Sequence, residues 1–332
     1  MTNYKIATIP GDGIGPEVMA ATVKVLEVLA EKTGLRFEFS TLWAGDEYKD
    51  RTGVALPPET TEGVKSADAC LFAAVGNTAK EVILPLRQSL GLYANLRPAK
   101  AYPGVPALKP TTDIMIVREN TECLYTMVGY KVPGFGVNLR IITREASERI
   151  VKYAFQYATK NGRKKVTAVH KANVLHYTDD VFLEAARNVA KEYPDIKYDE
   201  QIVDACAMKL ILTPEQFDVI VTTNTFGDIL SDEAAGLVGG LGLAPSGNIG
   251  DEMAIFEPVH GSAPDIAGKG IANPVAAILS AAMMLEWLGE KKASEKLETA
   301  VLKVLNDGIV RTPDLGGTNQ TMEVAEAISA AI

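Results

Sequence analysis

Residues 4–17 read YKIATIPGDGIGPE, a strand-like run followed by a glycine-rich turn and the start of a helix. The run Tyr4–Ile9 predicts a strand, and Pro16 suits the first position of a helix. A dinucleotide-binding Rossmann turn needs glycines spaced G-x-G-x-x-G, whereas the three glycines here are spaced G-x-G-x-G. The stretch therefore predicts a tight turn whose glycines supply positive φ angles, in an α/β fold that is not a Rossmann domain.

Beyond that turn, short β-branched runs alternate with helical patterns, which is typical of an α/β fold. The run Ala69–Val75, ACLFAAV, is fully apolar and predicts a central strand. Further strands are predicted at Leu35–Phe39, Asp113–Arg118, Val137–Thr143, Lys165–His170 and Asp218–Thr223. Further helices are predicted at Arg144–Lys160, Thr178–Lys191, Asp228–Leu237, Asn273–Leu288 and Lys292–Asp307. Because single cores stop growing at roughly 250–300 residues, the 332 residues of this chain predict two domains.

The composition argues against several classes of partner. The formal net charge is −9, and no basic stripe is present that could displace counterions from a nucleic acid. The three cysteines form no short pairing motif, which favours a reducing cytoplasm. The N-terminus lacks a signal-peptide pattern, and the apolar run Val275–Leu285 is shorter than the roughly 20 residues that span a bilayer. We expect a soluble cytoplasmic protein with no nucleic-acid or membrane partner.

Two aspartates form the most informative polar pair. Asp228 and Asp232 are four positions apart, so their carboxylates project from one face if the segment is helical. Like charges in this arrangement favour a cation between them, and oxygen ligands suit Mg²⁺ or Mn²⁺. The alternative is that Asp228 caps the helix while Asp232 is solvated. Asp204, which follows a strand-like run, is either a third ligand or a helix cap.

Three arginines are candidates for binding an acidic substrate. Arg87 and Arg97 lie in LRQSLGLYANLRP, and Arg118 lies in IVRENTECLY. Guanidinium groups bind carboxylates in a bidentate manner, so three converging arginines would suit a di- or tricarboxylate. For any one of them, a solvated face or a structural ion pair is the alternative. Tyr125 and Lys171 are candidates for proton transfer, although each taken alone also fits an ordinary structural role.

The segment Phe256–Pro274 reads FEPVHGSAPDIAGKGIANP and is rich in glycine. Its glycines let backbone N–H groups approach a phosphate, so we expect nucleotide binding here. His260 would either stack on a base or satisfy a turn. The glycine-rich stretches Gly236–Gly250 and Gly261–Gly270 are predicted to be functional loops.

Together these segments resemble the β-decarboxylating dehydrogenase family, which comprises isopropylmalate, isocitrate, homoisocitrate and tartrate dehydrogenases. The resemblance runs from GDGIGPE to TPDLGG at Thr312–Gly317, with LRPAK, VREN, HKANV, NTFGDILSDE and EPVHGSAPDIAGKGIANP in the family's order. It implies a two-domain, non-Rossmann α/β fold with the active site in the interdomain cleft. Residues 1–95 and 239–332 would form one domain, on the nucleotide side. Residues 96–238 would form the other and carry the dimer contact.

The resemblance also implies roles for the polar residues. The implied substrate-binding residues are Arg87, Arg97, Arg118 and Asp204. The implied ligands of Mg²⁺ or Mn²⁺ are Asp204, Asp228 and Asp232. Lys171 would take a proton from the substrate hydroxyl and Tyr125 would donate one to C3, with Lys171 and Asp204 contributed by the second subunit of a homodimer or of a tetramer. A noncatalytic regulatory subunit is the alternative of a different class, although such a chain would be expected to lose these residues.

The implied coenzyme is NAD. NAD-using relatives carry an acidic residue in HGSAPD, here Asp265, which accepts hydrogen bonds from the adenosine ribose and repels a 2′-phosphate. The implied cofactor-binding residues are His260, Gly261, Ser262, Ala263, Asp265, Ile266 and Asn273.

The implied substrate depends on the residues ahead of the first arginine. Ile83 and Leu84 offer an apolar wall suited to an isopropyl group, so we expect oxidative decarboxylation of (2R,3S)-3-isopropylmalate to 2-oxoisocaproate, in leucine biosynthesis. An apolar wall discriminates by only about 1–3 kcal/mol per methylene, so homoisocitrate and isocitrate are alternative substrates. The loop Tyr130–Gly136 could add a substrate contact. Cys123 stands where glycine is common in the family, and we expect a small buried thiol there.

Overall fold

The computed structural model describes residues 2–332, which form alternating helices and strands. The helices are α1 (Gly15–Thr33), α2 (Asp46–Thr52), α3 (Pro58–Lys65), α4 (Ala79–Ser89), α5 (Arg144–Lys160), α6 (His176–Ala190), α7 (Val203–Leu212), α8 (Asn224–Val238), α9 (Val275–Trp287), α10 (Lys291–Asp307) and α11 (Thr321–Ala331). The strands are β1 (Asn3–Gly11), β2 (Arg36–Thr41), β3 (Ala69–Ala74), β4 (Ala94–Lys100), β5 (Asp113–Glu119), β6 (Gly129–Val132), β7 (Phe135–Asn138), β8 (Lys165–His170), β9 (Lys197–Ile202), β10 (Val219–Thr222), β11 (Pro245–Ile249) and β12 (Ala254–Pro258).

One ten-stranded sheet runs through the molecule in the order β2-β1-β3-β12-β11-β4-β5-β10-β8-β9, and β6 and β7 form a separate hairpin. β11 is antiparallel to both β12 and β4, and β4 is antiparallel to β5. The other neighbouring pairs of the large sheet are parallel. The parallel groups on the two sides therefore run in opposite directions, which distinguishes this sheet from a Rossmann sheet. The predicted non-Rossmann α/β class is confirmed.

The glycine-rich turn Gly11–Gly15 has the predicted conformation. Gly11 and Gly13 have φ angles of 68° and 60°, and α1 begins at Gly15 directly before Pro16. The G-x-G-x-G spacing thus serves a tight strand-to-helix turn, because positive φ angles are cheap only for glycine.

Two predicted elements are wrong. Of the strand expected at Val137–Thr143, only Val137 and Asn138 lie in a strand, β7, and Ile141 forms an isolated bridge with Cys123. The stretch Gly236–Gly250, expected to be a loop, contains the fully buried strand β11. Its glycine and polar residues hide the strand pattern, but the antiparallel pairing to both neighbours satisfies its backbone.

The helix expected to start at Asp228 begins earlier, at Asn224, with Thr223 in extended conformation before it. Asp228 therefore lies inside α8 and does not cap it, which corrects the capping alternative. The earlier start makes Asp228 and Asp232 members of one continuous helix, as their spacing requires for a shared face.

The hydrophobic core is continuous on one face of the sheet and divided on the other. The continuous core joins α1, α5, α6, α9, α10 and α11 to side chains such as Leu96 and Met115. On the opposite face, one core lies under α3 and α4 and a second lies under α7 and α8. Buried polar residues, among them Arg97 and Arg118, lie on the sheet beside these two cores. This polar seam is the place where a site can form. Within residues 2–332, no helix is both long and apolar enough to span a bilayer.

Candidate active site

The predicted arginines and aspartates meet at the polar seam. Arg97 lies on β4, Arg118 on β5, and Asp228 and Asp232 on α8, which packs against both strands. Nη1 of Arg118 donates to Oδ1 of Asp228 at 2.5 Å. Nη1 of Arg97 lies 3.2 Å from Oδ1 of each aspartate. The hydroxyl of Tyr125 donates to Oδ2 of Asp228 at 2.5 Å. These five residues form the arginine–aspartate cluster.

Burial and the facing charges set the protonation of this cluster. Arg118 is only 1% exposed, and burial together with Arg97 lowers its pKa to about 10, while Asp228 opposes the shift. Burial acts to raise the pKa of Asp228, but Arg118 and Arg97 outweigh it, and the pKa is lowered. Burial raises the pKa of Asp232, with Arg97 opposing and Asp228 adding to the effect. Arg87 also acts electrostatically on Arg118 and Asp228, although its own ion pair is with Glu257.

A buried polar chain, which sequence analysis missed, connects two of these arginines. Nε of Arg97 donates to Oδ1 of Asn95 at 2.7 Å, and Nδ2 of Asn95 donates to Oδ1 of Asn248 at 3.0 Å. Nδ2 of Asn248 then donates to Glu257 at 2.7 Å, and the same carboxylate oxygen accepts from Nη2 of Arg87 at 2.9 Å. Nε of Arg87 is buried and has no protein partner within residues 2–332. The chain fixes the guanidinium positions before any substrate arrives.

The backbone beside Tyr125 is strained. Cys123 is fully buried, as expected, and has φ 71° and ψ −139°, on the left-handed side that favours glycine. Its Sγ lies 3.3 Å from Oγ1 of Thr225 on α8. Tyr125 follows in a short 3₁₀ turn at Leu124–Thr126. The strain at Cys123 is therefore next to the turn that presents the Tyr125 hydroxyl.

Replacing Cys123 should measure that strain. Cys123→Ala and Cys123→Gly lose the same thiol, but only glycine relaxes the backbone. We expect the free energy of unfolding of Cys123→Gly to exceed that of Cys123→Ala by about 1 kcal/mol. Urea titrations of the two variants give the difference directly. A Cys123→Gly variant less stable than Cys123→Ala would show that the backbone carries no strain.

Glu122 should make stability depend on pH. Burial raises its pKa from 4.5 to about 7, with hydrogen bonds from Thr143 opposing the shift and Glu119 adding to it. Because the folded-state pKa exceeds the unfolded one, the stabilisation is complete below the unfolded value and is lost as pH rises through about 7. We expect the free energy of unfolding of Glu122→Gln, relative to the unsubstituted protein, to rise by about 3 kcal/mol across this window. Exposed Glu192→Gln should show no such trend in urea titrations at several pH values.

Lys171 and Asp204 form a pair of their own. Nζ of Lys171 donates to Oδ1 of Asp204 at 2.5 Å, and this bond holds the pKa of Asp204 below its usual value. Within the described part of the chain, no three His, Cys, Asp or Glu residues come together in a group able to hold a metal ion. One chain therefore brings together only two of the three predicted metal ligands, Asp228 and Asp232. Their oxygens fit a hard divalent cation, but the third ligand is missing from the cluster.

Apolar side chains are exposed close to these groups. Ile229, next to Asp228 on α8, is 62% exposed, and Met208, Ile211 and Leu212 on α7 are also more than half exposed. The hairpin of β6 and β7, which contains the loop Tyr130–Gly136, exposes a further apolar set: Tyr130, Val132 and Phe135. A two-stranded hairpin is marginally stable alone, and exposed apolar patches occur at interaction sites and at ligand-binding grooves.

The N-terminal turn holds the predicted nucleotide loop. The backbone N–H of Ile14 donates to the carbonyl of Ser262 at 2.9 Å. A Cβ on Gly13 would lie 2.0 Å from that carbonyl oxygen, so only glycine fits. The carboxylate of Glu17 accepts from the backbone N–H groups of Gly270 and Ala272 at 3.2 and 2.8 Å. The turn thus has a structural role at the loop, and Glu17 is a residue that sequence analysis missed.

Within that loop, the predicted contacts differ in their freedom to bind a nucleotide. Nε2 of His260 is buried without a protein partner in residues 2–332, and burial lowers the pKa of His260. Asp265 is exposed in the 3₁₀ turn Pro264–Ile266. The amide of Asn273 is already engaged, because it accepts from the N–H of Val275 and donates to Asp314, both at 3.0 Å. The remaining predicted contacts in this loop are Gly261, Ser262, Ala263 and Ile266.

The two residues of the predicted apolar wall are placed differently. Ile83 and Arg87 are one helical turn apart on α4, but Ile83 is only 8% exposed and belongs to the core under this helix. Leu84 is half-buried and lies outside that core. Leu84 is therefore the more available of the two for contact with a bound molecule.

Comparison with known proteins identifies the relatives of this chain. The family model described as isocitrate/isopropylmalate dehydrogenase matches residues 5–328. The chain is 56% identical to a 3-isopropylmalate dehydrogenase of Archaeoglobus fulgidus, covering 98% of each sequence. It is 52% identical to an isocitrate/homoisocitrate dehydrogenase of Thermus thermophilus, covering 99% of this chain and 98% of the relative. The crystal structure of an isocitrate dehydrogenase from Methylococcus capsulatus is 47% identical and superposes with a TM-score of 0.95, covering 99% of both chains.

The match to the family covers all of the site residues described above. The matched region includes both the turn at Gly11–Gly15 and the segment Phe256–Pro274. The two-domain α/β fold expected from the resemblance is that of the matched family. The chain belongs to the isocitrate/isopropylmalate dehydrogenase family of oxidoreductases.

Proposed function

We propose that the protein catalyses the NAD- and divalent-metal-dependent oxidative decarboxylation of 3-isopropylmalate, as a cytoplasmic homodimer serving leucine biosynthesis. The observation that carries this proposal is the convergence of Arg97 and Arg118 on Asp228 beside the hydroxyl of Tyr125, with Arg87 linked to Arg97 through the buried polar chain. Preorganised guanidinium groups suit a substrate with two carboxylates. When bound, the metal ion supplies a Lewis acid at substrate oxygens and NAD supplies a hydride acceptor.

The arginines of this chain can bind the substrate by exchanging aspartate carboxylates for substrate carboxylates. In the structure, Arg97 and Arg118 form ion pairs with Asp228, and Arg97 also pairs with Asp232. A substrate carboxylate that takes over these guanidinium bonds frees the two aspartates to act as metal ligands. The unpartnered Nε of Arg87 offers one further donor to the substrate.

Proton transfer falls to Tyr125 and Lys171. Burial raises the pKa of Tyr125, with Arg118 opposing and the bond to Asp228 adding to the shift, so the phenol keeps its proton at neutral pH. It can therefore donate that proton to C3 after carbon dioxide has left. Lys171 of a second copy would accept the proton of the C2 hydroxyl. Positioned transfers of this kind contribute about 10²–10⁴-fold each.

The need for a second copy rests on two features of the single chain. Lys171 and Asp204 pair with each other and lie outside the arginine–aspartate cluster. Apolar residues are also exposed on three elements next to the site residues in the chain. Helix α7 carries Asp204, α8 carries Asp228, and the β6–β7 hairpin follows the turn of Tyr125. We propose that a second copy covers these surfaces and brings its Lys171 and Asp204 to Asp228 and Asp232.

The chain divides into two units in this proposal. We propose that residues 1–95 with 239–332 form the unit that binds NAD through His260 and Asp265, and that residues 96–238 form the other. The divided core on the active-site face supports this partition. The exposed carboxylate of Asp265 would accept hydrogen bonds from ribose hydroxyls and repel a 2′-phosphate.

The substrate can be tested by comparing 3-isopropylmalate, homoisocitrate, isocitrate and D-malate with NAD and Mn²⁺. We expect kcat/KM for 3-isopropylmalate to exceed the others by about tenfold or more, because Leu84 offers an apolar contact to the isopropyl group. Leu84→Ala should lower the ratio of kcat/KM for 3-isopropylmalate to kcat/KM for D-malate by about tenfold. Ile309→Ala, at an exposed position, should leave this ratio unchanged. Preference for a tricarboxylate would favour the isocitrate or homoisocitrate alternative. Absence of turnover with all four would favour a noncatalytic role.

A further inference from the structure

A cavity of about 510 Å³ lies on the face of the sheet opposite the arginine–aspartate cluster. Its floor includes Leu96 on β4 and Phe256 on β12. Because successive residues of a strand point to opposite faces, Leu96 lies back to back with Arg97, and Phe256 with Glu257. The cavity and the active site therefore share strands.

The walls of the cavity are aromatic. Tyr153 and Tyr157 of α5 line one side, and Trp287 of α9 lines another, with Tyr102 from the loop after β4. Binding sites for small molecules have volumes of roughly 300–1,000 Å³ and are lined mainly by apolar and aromatic groups. The cavity has both properties, and residues of both α5 and α9 line it.

Carboxylates surround these rings. Glu286 forms a 3.3 Å ion pair with Lys160, whereas Glu298, which also lines the cavity, has no ion-pair partner within residues 2–332. Burial raises the pKa of Tyr157 to about 12; Arg163 opposes the shift, and both Glu286 and Glu298 add to it. The two carboxylates are thus close enough to act on the phenol electrostatically. Three basic residues line the cavity. Lys160 and Arg163 are ion-paired, whereas Lys100 has no ion-pair partner in the described residues.

We propose that this cavity binds a small organic cation, an amine or quaternary ammonium with an apolar body. The faces of tryptophan and tyrosine rings attract cations, and Glu298 supplies a carboxylate without an ion-pair partner in the described residues. The apolar body would rest on the floor formed by Leu96 and Phe256. An occupant would press on the strands that carry Arg97 and Glu257, so binding should also alter the KM for the substrate of the active site.

The test uses the full chain and three probes of similar size: benzyltrimethylammonium, 3-phenylpropionate and 2-phenylethanol. Isothermal titration should show saturable binding of one benzyltrimethylammonium per chain, with the anion and the neutral probe weaker by about tenfold. Glu298→Gln should weaken binding of the cation by about threefold, and Trp287→Leu by about tenfold. Glu295→Gln, on the same helix α10 but outside the cavity, should leave the dissociation constant unchanged.

Three results would overturn the proposal. These are no saturable binding up to about 10 mM, equal or tighter binding of 3-phenylpropionate, and a dissociation constant that Glu298→Gln leaves unaltered. Since Glu298 is exposed, its variant should fold even if Trp287→Leu does not, and it then decides alone. The titration needs no turnover, so its outcome is independent of the proposed reaction.

Discussion

Asp228→Asn is expected to reduce kcat/KM by at least about 10³-fold. The amide has nearly the same shape, but it removes the negative charge that faces the buried guanidinium of Arg118. It also replaces one of the two carboxylate oxygens that accept from Arg118 and Tyr125 with an NH₂ group, which cannot accept a hydrogen bond. A divalent cation would lose a charged ligand at the same time. No other single substitution in the cluster removes all three interactions.

Steady-state kinetics with NAD and Mn²⁺ measure this loss, and circular dichroism checks that the variant is folded. Asp195→Asn, at an exposed position away from the cluster, serves as the matched control and should retain full activity. An Asp228→Asn enzyme within tenfold of the unsubstituted protein would remove Asp228 from the proposed metal site.

Mixing two inactive variants is expected to restore activity. Lys171→Met and Asp228→Asn should each be inactive alone. In a hybrid dimer, one of the two sites combines an intact cluster from one chain with an intact Lys171 from the other. Random reassortment of equal amounts makes half of the dimers hybrid, so the mixture should reach about a quarter of full activity.

The mixture is prepared by unfolding and refolding the two chains together, and its activity is compared with that of each variant refolded alone. No recovery, with hybrid dimers demonstrated by mass spectrometry, would mean that each chain uses its own Lys171. The proposed exchange of Lys171 between subunits would then be wrong, although the roles of the arginines would be unaffected.

The elements that the sequence predicted well obey local rules. Helix α5 and strand β8 have the predicted bounds, Arg144–Lys160 and Lys165–His170. The side chain of Thr143 caps α5 by accepting from the N–H of Ala146, and the residues of β8 after Lys165 are buried on both faces. Local capping and apolar runs suffice for such elements because their signals lie within the segment itself.

Three strands of the active site escaped prediction for the opposite reason, whereas β5, which carries Arg118, was predicted. β4, β11 and β12 direct Asn95, Asn248 and Glu257 into the protein, which breaks the apolar pattern of a buried strand. These side chains are satisfied by each other, by Asn120 and a backbone carbonyl, and by arginines from distant segments. Polar residues that violate local rules are found where function requires them, so the three strands that hold the buried polar chain carry a weak strand signal.

The sequence identified individual site residues, but it did not predict how they are arranged in space. The spacing of Asp228 and Asp232 predicted a shared helical face, and the structure shows both carboxylates near Arg97. The convergence of the arginines and the separation of the Lys171–Asp204 pair could not come from spacing, because both depend on how strands far apart in the chain are ordered.

The position of β12 beside β3 has a consequence for the synthesis of the protein. Cys70 of β3 pairs with Ile255, so more than half of the chain must leave the ribosome before the apolar strand β3 gains its second neighbour. Until then, a nascent chain carrying β1, α1 and β3 exposes an unpaired, fully apolar edge. Closing so long a loop is entropically costly and slow. The growing polypeptide should therefore depend on chaperones during translation, whereas the finished subunit no longer exposes this edge.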